Sequence, residues 1–163
     1  MDKDSQQILL PMTITSRVLL FGFVSGLIWS VVPGALSEMF RSPGETITVA
    51  ASGALTGVFV SLVFRALLTK IDLWGAIAIG ILSLPLGAFA FGVLISLVQW
   101  MVLRATGISY RFVANGFNPF QSGFEYAVLS VISVLAFILF PLAIVTTLLL
   151  RVVILAGKRH GLY

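Results

Sequence analysis

The stretch LWGAIAIGILSLPLGAFAFGVLISLVQWMVL, residues 73–103, contains no charged side chain. A helix rises about 1.5 Å per residue, so about 20 mostly apolar residues cross the hydrocarbon core of a bilayer. Trp74 and Trp100 bracket the stretch at a helical separation of about 39 Å, and tryptophan is enriched at both membrane interfaces. The stretch therefore predicts a membrane-spanning helix, and Trp29 is expected at the outer interface in the same way.

Three further apolar runs are long enough to cross a bilayer: 18–36, 46–68 and 124–156. Isolated strands would leave backbone groups unpaired in lipid, so each run is expected to be helical. The sequence predicts an all-α protein, an integral membrane bundle of four transmembrane helices. Residues 1–163 would form a single membrane domain with one long outer loop, 104–123.

The composition excludes a water-soluble globule. Hydrophobic residues make up 59% and charged residues 10% of the chain, whereas soluble domains carry about 25% charge. There is no cysteine and only one histidine, which argues against thiolate and histidine-built metal sites. We expect no metal, no cofactor and no catalytic residue, hence no enzyme, and no nucleic-acid partner. The expected partners are membrane lipids and other transmembrane helices.

The basic residues predict the orientation of the bundle, because cytoplasmic loops are enriched in lysine and arginine. Four spans put both termini on one side of the membrane. That side would hold Lys3, Arg17, Arg65, Lys70, Arg151, Lys158 and Arg159, and the other only Arg41, Arg104 and Arg111. Both termini are therefore expected in the cytoplasm, in a cytoplasmic membrane of bacterial type.

Residues 1–37 also resemble a cleavable signal peptide. Arg17 precedes an apolar run, and Ala35 and Ser37 offer small residues before a cut. The long segment before Arg17 contains two aspartates, which is not typical of such a leader. We expect the first span to be kept as an anchor.

Three polar patterns predict helix starts. The stretches SPGE (42–45) and SGFE (122–125) match the capping box, with Ser42 and Ser122 as caps and Glu45 and Glu125 closing the box. Asp72 stands immediately before the third span and is expected to cap it.

Small residues predict where helices approach each other. In lipid, rows of glycine let helix backbones pack closely. The candidate packing residues are Gly22, Gly26, Gly53, Gly57, Gly87 and Gly92. The partner helix could belong to this chain or to another protein.

The outer loop holds the candidate binding residues Arg104, Tyr110, Arg111 and Asn115. Their mixture of cations, amides and aromatic rings suits a lipid headgroup or a protein partner. A solvated loop with interfacial anchors is the alternative interpretation.

Two functions are compatible with these features. The small-residue rows and the lack of chemical groups favour an accessory, assembly or stabilising subunit of a larger membrane complex. The alternative is a small carrier or pore, possibly oligomeric, with a neutral cavity near Pro85 and Pro141. These prolines interrupt two spans about 15 to 18 Å from the cytoplasmic ends.

Overall fold

The fold was obtained as a computed structural model that describes residues 13–36, 42–107 and 117–159. Within those residues the chain is helical, without strands. The helices are α1 (Ile14–Leu36), α2 (Pro43–Leu68), α3 (Leu73–Thr106), α4 (Pro119–Ile132) and α5 (Ala136–Arg159).

Four of the helices are long and apolar enough to cross a membrane, which confirms the predicted number. The qualifying segments are Ile14–Val31, Pro43–Leu68, Leu73–Thr106 and Ala136–Gly157. The first three predicted spans correspond to α1, α2 and α3. Each of these helices extends up to four residues beyond the predicted span.

The fourth predicted span, 124–156, is not one continuous helix. Its helical hydrogen bonding stops at Ser133, whose backbone is extended (φ −71°, ψ 149°), and resumes with the bond from the Ala136 N–H to the Ser133 carbonyl. The break contains neither glycine nor proline. The β-branched residues Val131, Ile132 and Val134 surround it, and such residues are weak helix formers.

Pro141 lies inside α5 rather than at the break. It is the sixth residue of that helix, beyond the first four whose N–H groups have no helical partner, so the Phe137 carbonyl lacks its usual donor. Pro85 lies inside the unbroken α3.

Helices α4 and α5 together run antiparallel to α3. Gly123 of α4 packs on Gly92, Ile144 of α5 packs on Gly80, and the Arg151 guanidinium donates to the Ile71 carbonyl over 3.0 Å. With 14 residues, α4 is about 21 Å long, shorter than the hydrocarbon core of a bilayer. The two helices therefore make one return along α3.

The two ends of the bundle differ. At one end, which we call the termini end, Ile14 at the start of α1 lies against Gly157 near the end of α5. The turn between α2 and α3 is at this end as well. A buried apolar cluster from four helices packs here: Ile14, Val18, Phe64, Leu68, Ala76, Leu150 and Ile154. The opposite end, the loop end, is where α1 and α3 end and α2 and α4 begin.

Candidate functional site

A cavity of about 420 Å³ lies between the α1–α2 pair and the unit of α3, α4 and α5. Side chains from all five helices line it. Small-molecule sites in proteins range from about 300 to 1,000 Å³. The cavity is therefore large enough for a small molecule, and we call it the central cavity.

The wall of the central cavity is apolar except for neutral groups. None of the described residues that line it is charged. Its polar groups are the Trp29 indole, the Tyr126 phenol and the hydroxyls of Ser25, Ser30, Thr56, Ser61, Ser83, Ser130, Ser133, Thr146 and Thr147. An ion would lose its hydration here without a counter-charge, so the wall suits an uncharged molecule.

Many of these hydroxyls donate their proton to their own helix. Ser30, Ser83 and Ser130 each donate to the carbonyl three residues earlier, over 2.7 Å. A hydroxyl has one proton and two acceptor lone pairs. With the proton engaged, the oxygen remains as an acceptor. The wall therefore favours a molecule that brings a hydrogen-bond donor.

Trp29 connects α1 to α5 across one side of the central cavity. Its indole Nε1–H donates to Thr146 Oγ1 over 3.3 Å, and Thr146 in turn donates to the Leu142 carbonyl over 2.8 Å. The Trp29 ring also packs against the cluster that contains Leu84 and Leu139. The indole therefore has a partner inside the bundle, and the expectation that Trp29 lies at the outer interface stays a prediction.

Apolar packing bounds the central cavity towards both ends of the bundle. Phe64 and Leu150 line it and belong to the cluster at the termini end. Towards the loop end, Phe91 packs with Val49 and Ile95. The Tyr126 ring meets the Phe91 ring edge-on at 5.4 Å.

Five of the six predicted packing glycines lie at two helix crossings. A Cβ on Gly22 would lie 2.7 Å from the Gly57 carbonyl, and one on Gly26 would collide with the Gly53 carbonyl. These four residues therefore form the α1–α2 crossing within this chain. Gly92 forms a second crossing, where a Cβ would lie 2.6 Å from the Ser122 carbonyl of α4.

Gly87 differs from the other predicted packing glycines. It lines the central cavity, and a Cβ built on it meets no atom within 4 Å. None of the helices in the described part of the chain packs against α3 at this position. The space that a side chain at this position would occupy is part of the cavity.

Two predicted caps lie at helix starts. Ser42 Oγ accepts from the Glu45 N–H over 3.2 Å, and Asp72 Oδ1 accepts from the Gly75 N–H over 2.8 Å. Each oxygen satisfies one of the free amides at the start of its helix.

The predicted cap at Ser122 is wrong. The cap of α4 is Asn118, whose Oδ1 accepts from the Gln121 N–H over 3.1 Å, with Pro119 as the first helical residue. Ser122 lies inside the helix, and Glu125 accepts from Gln121 Nε2 over 3.0 Å. Proline needs no partner at this position, so Asn118 and Pro119 start the helix earlier than the SGFE stretch does.

The candidate binding loop is described only at its edges. The Arg104 guanidinium stacks 5.4 Å from the centre of the Trp100 ring, and Phe117 packs on Trp100 at the same distance. Tyr110, Arg111 and Asn115 lie outside the described residues. Helix α3 continues to Thr106 and α4 begins at Pro119, so the connection is shorter than the predicted 104–123.

Comparison with known protein families, with curated proteins and with solved structures finds no match.

Proposed function

We propose that this protein is a multi-pass membrane protein that binds a small uncharged molecule in the central cavity and carries it across the membrane. The observation that carries the proposal is the charge-free, hydroxyl-bearing wall to which all five helices contribute. Many large apolar side chains face outward, including Leu82 (57% exposed), Phe59 (55%) and Val152 (61%), as suits a lipid environment. The proposal includes no enzymatic activity.

The ligand class follows from the wall. Apolar surface contacts most of the ligand, and the hydroxyl oxygens accept its donors. An uncharged molecule with an apolar body and an O–H or N–H group satisfies both requirements. Organic ions do not, because the cavity provides no counter-charge among its described residues.

Reconstituted protein tests the carrier proposal. Proteoliposomes should admit at least one neutral alcohol or amide with an apolar body roughly tenfold faster than protein-free liposomes, as osmotic swelling in stopped-flow light scattering would show. Charged solutes of similar size should not be admitted, since they would enter a wall without counter-charge. Swelling no faster than that of protein-free liposomes, across a broad panel of neutral solutes, would refute the carrier function.

The proposed orientation places the termini end in the cytoplasm of a bacterial-type cell, at its cytoplasmic membrane. The chain has no cysteine, so a single introduced cysteine reports its own side of the membrane. An impermeant maleimide added to intact cells should label Phe120→Cys, near the loop end, and leave Thr69→Cys unlabelled. Thr69→Cys should react once the membrane is permeabilised. The reverse pattern would overturn the orientation.

A second candidate function is an accessory subunit of a larger membrane complex. The break between α4 and α5 favours it, because Val134 and Phe137 there are 85% and 86% exposed. Irregular backbone is tolerated at membrane depth where protein or water covers it, and a partner helix would provide that cover. The four glycines of the α1–α2 crossing do not support a partner, since they pack within the chain.

Mild-detergent purification separates the two functions. A subunit should copurify with a distinct membrane protein, and Phe137→Ser should release that protein while Phe59→Ser does not. A monodisperse protein that purifies without a partner and transports solute in proteoliposomes would exclude the subunit function and support the carrier function.

A further inference from the structure

A second concavity, of about 490 Å³, lies on the outer surface of the bundle between α1 and α5. Its walls are apolar except at one end, where Arg17 lines it. The lining residues are Arg17, Leu20, Phe21, Val24, Val152, Val153 and Ala156. We call it the α1–α5 groove. From Arg17 to Val24 it follows α1 for about 10 Å.

The groove begins where the bilayer interface is expected. Arg17 lies in the first turns of α1, within the segment Ile14–Val31 that is long enough to cross a membrane. A long arginine side chain at such a helix end reaches the headgroup region while its stem stays in the apolar layer. Val24, seven residues further along, lies deeper in the hydrocarbon.

The Arg17 guanidinium has no counter-charge within the described part of the chain. Two other arginines at the termini end have protein acceptors: Arg65 donates to Thr15 Oγ1 over 2.8 Å and Arg151 to the Ile71 carbonyl over 3.0 Å. No such acceptor binds the side chain of Arg17 among the described residues. Within that part of the chain, none of its five N–H donors is used by a protein acceptor.

We propose that the α1–α5 groove binds one anionic phospholipid, with the phosphate at Arg17 and one acyl chain along the apolar walls. A guanidinium forms paired hydrogen bonds with phosphate oxygens, which a point charge does not. The positive end of the α1 helix dipole lies beside the same position and favours the same charge. The lining of the groove differs from that of the central cavity, with Phe21 as the one residue that the two linings share.

Headgroup charge decides the selectivity of this site. An acyl chain is already in an apolar environment in the bilayer, so the groove adds packing contacts rather than a hydrophobic driving force. A zwitterionic lipid has the same acyl chains and phosphate, but its headgroup also carries a cation, which the Arg17 guanidinium repels. One arginine near an anionic membrane surface strengthens the binding of an anionic lipid over a neutral one by about fivefold. We expect the groove to bind phosphatidylglycerol about fivefold more tightly than phosphatidylcholine.

Native mass spectrometry of the purified full chain tests the site. The protein is titrated in detergent with phosphatidylglycerol or with phosphatidylcholine of the same acyl chains, and the singly bound species is quantified. Arg17→Gln should remove the preference for phosphatidylglycerol. Ala156→Phe, which fills the groove, should weaken the binding of both lipids. The matched controls Lys70→Gln, at the same end, and Leu155→Phe, outside the groove, should bind as the wild type does.

Several outcomes would overturn the proposal. Equal binding of the two lipids by the wild type would do so, and so would an unchanged preference in Arg17→Gln. Displacement of the lipid by millimolar inorganic phosphate would show a free-anion site instead. A wild-type dimer that Ala156→Phe dissociates, without any lipid preference, would identify a second copy of the chain as the occupant.

Discussion

Gly26→Ala is expected to lower the free energy of unfolding by about 1–3 kcal/mol, the usual cost of forcing an extra group into close-packed protein. The new Cβ collides with the Gly53 carbonyl. A backbone atom cannot rotate away as a flexible side chain can, so α1 and α2 must separate along the crossing. In lipid that separation loses close van der Waals contact, which is what holds such helices together.

Gly87→Ala is the matched control for this change. It is the same substitution, also inside a helix, but its Cβ meets no atom within 4 Å. Alanine is the better helix former by about 1 kcal/mol, so this variant should be as stable as the wild type or more stable. Thermal and denaturant unfolding in one detergent compares the two. Equal stability of Gly26→Ala and Gly87→Ala would contradict the close α1–α2 crossing.

Gly87→Phe is expected to reduce neutral-solute flux to the level of protein-free liposomes. The phenyl ring enters the central cavity, because no other atom occupies the space beside Gly87. Loss of room for the ligand should weaken its binding by roughly tenfold or more, equivalent to about 1.4 kcal/mol. The bundle should still fold, since the ring fills space instead of displacing a helix.

Leu86→Phe provides the control for this second substitution. Leu86 is the neighbouring residue on α3, is 53% exposed and faces away from the cavity. The Leu86→Phe variant should leave the flux of neutral solutes unchanged. Thermal unfolding of both variants establishes that they are folded. Normal flux through folded Gly87→Phe would show that the solute does not pass through the central cavity.

The sequence predicts the number and position of the long helices well, because the requirement behind them is simple. A charge-free run such as 73–103 can be accommodated only as a helix in an apolar environment. The caps of α2 and α3 are equally local, since Ser42 and Asp72 interact within their own first turns. The cap of α4 was missed although the pattern was present: Asn118 and Pro119 repeat the cap-and-proline arrangement of Ser42 and Pro43.

The break before α5 could not be read from the sequence in the same way. Its residues are apolar and hydroxyl-bearing like those of an intact membrane helix. Neither glycine nor proline marks the position, and Pro141, which does attract attention, lies in the following helix. The β-branched residues around it do not mark it either, because the intact α5 contains as many of them.

The central cavity was only partly predictable. Its position beside the segments around Pro85 and Pro141 matches the neutral cavity of the carrier hypothesis, although neither proline lines it. The hydroxyls gave little signal, because a serine that donates to its own helix looks the same in sequence whether it faces lipid or a cavity. The contact of Trp29 with Thr146 gave no signal for a similar reason, since an indole suits both a membrane interface and a polar contact inside the bundle.

The most direct test of the central claim, that an uncharged ligand occupies this cavity, uses Trp29 as the reporter. Replacing Trp74 and Trp100 with phenylalanine leaves Trp29 as the single tryptophan. Tribromoethanol, an uncharged alcohol whose bromines quench indole fluorescence, is then titrated into the protein in detergent. The cavity predicts saturable quenching of Trp29 and gradual, unsaturated quenching of a variant that retains only the exposed Trp74. The same unsaturated quenching of both tryptophans would contradict a binding cavity.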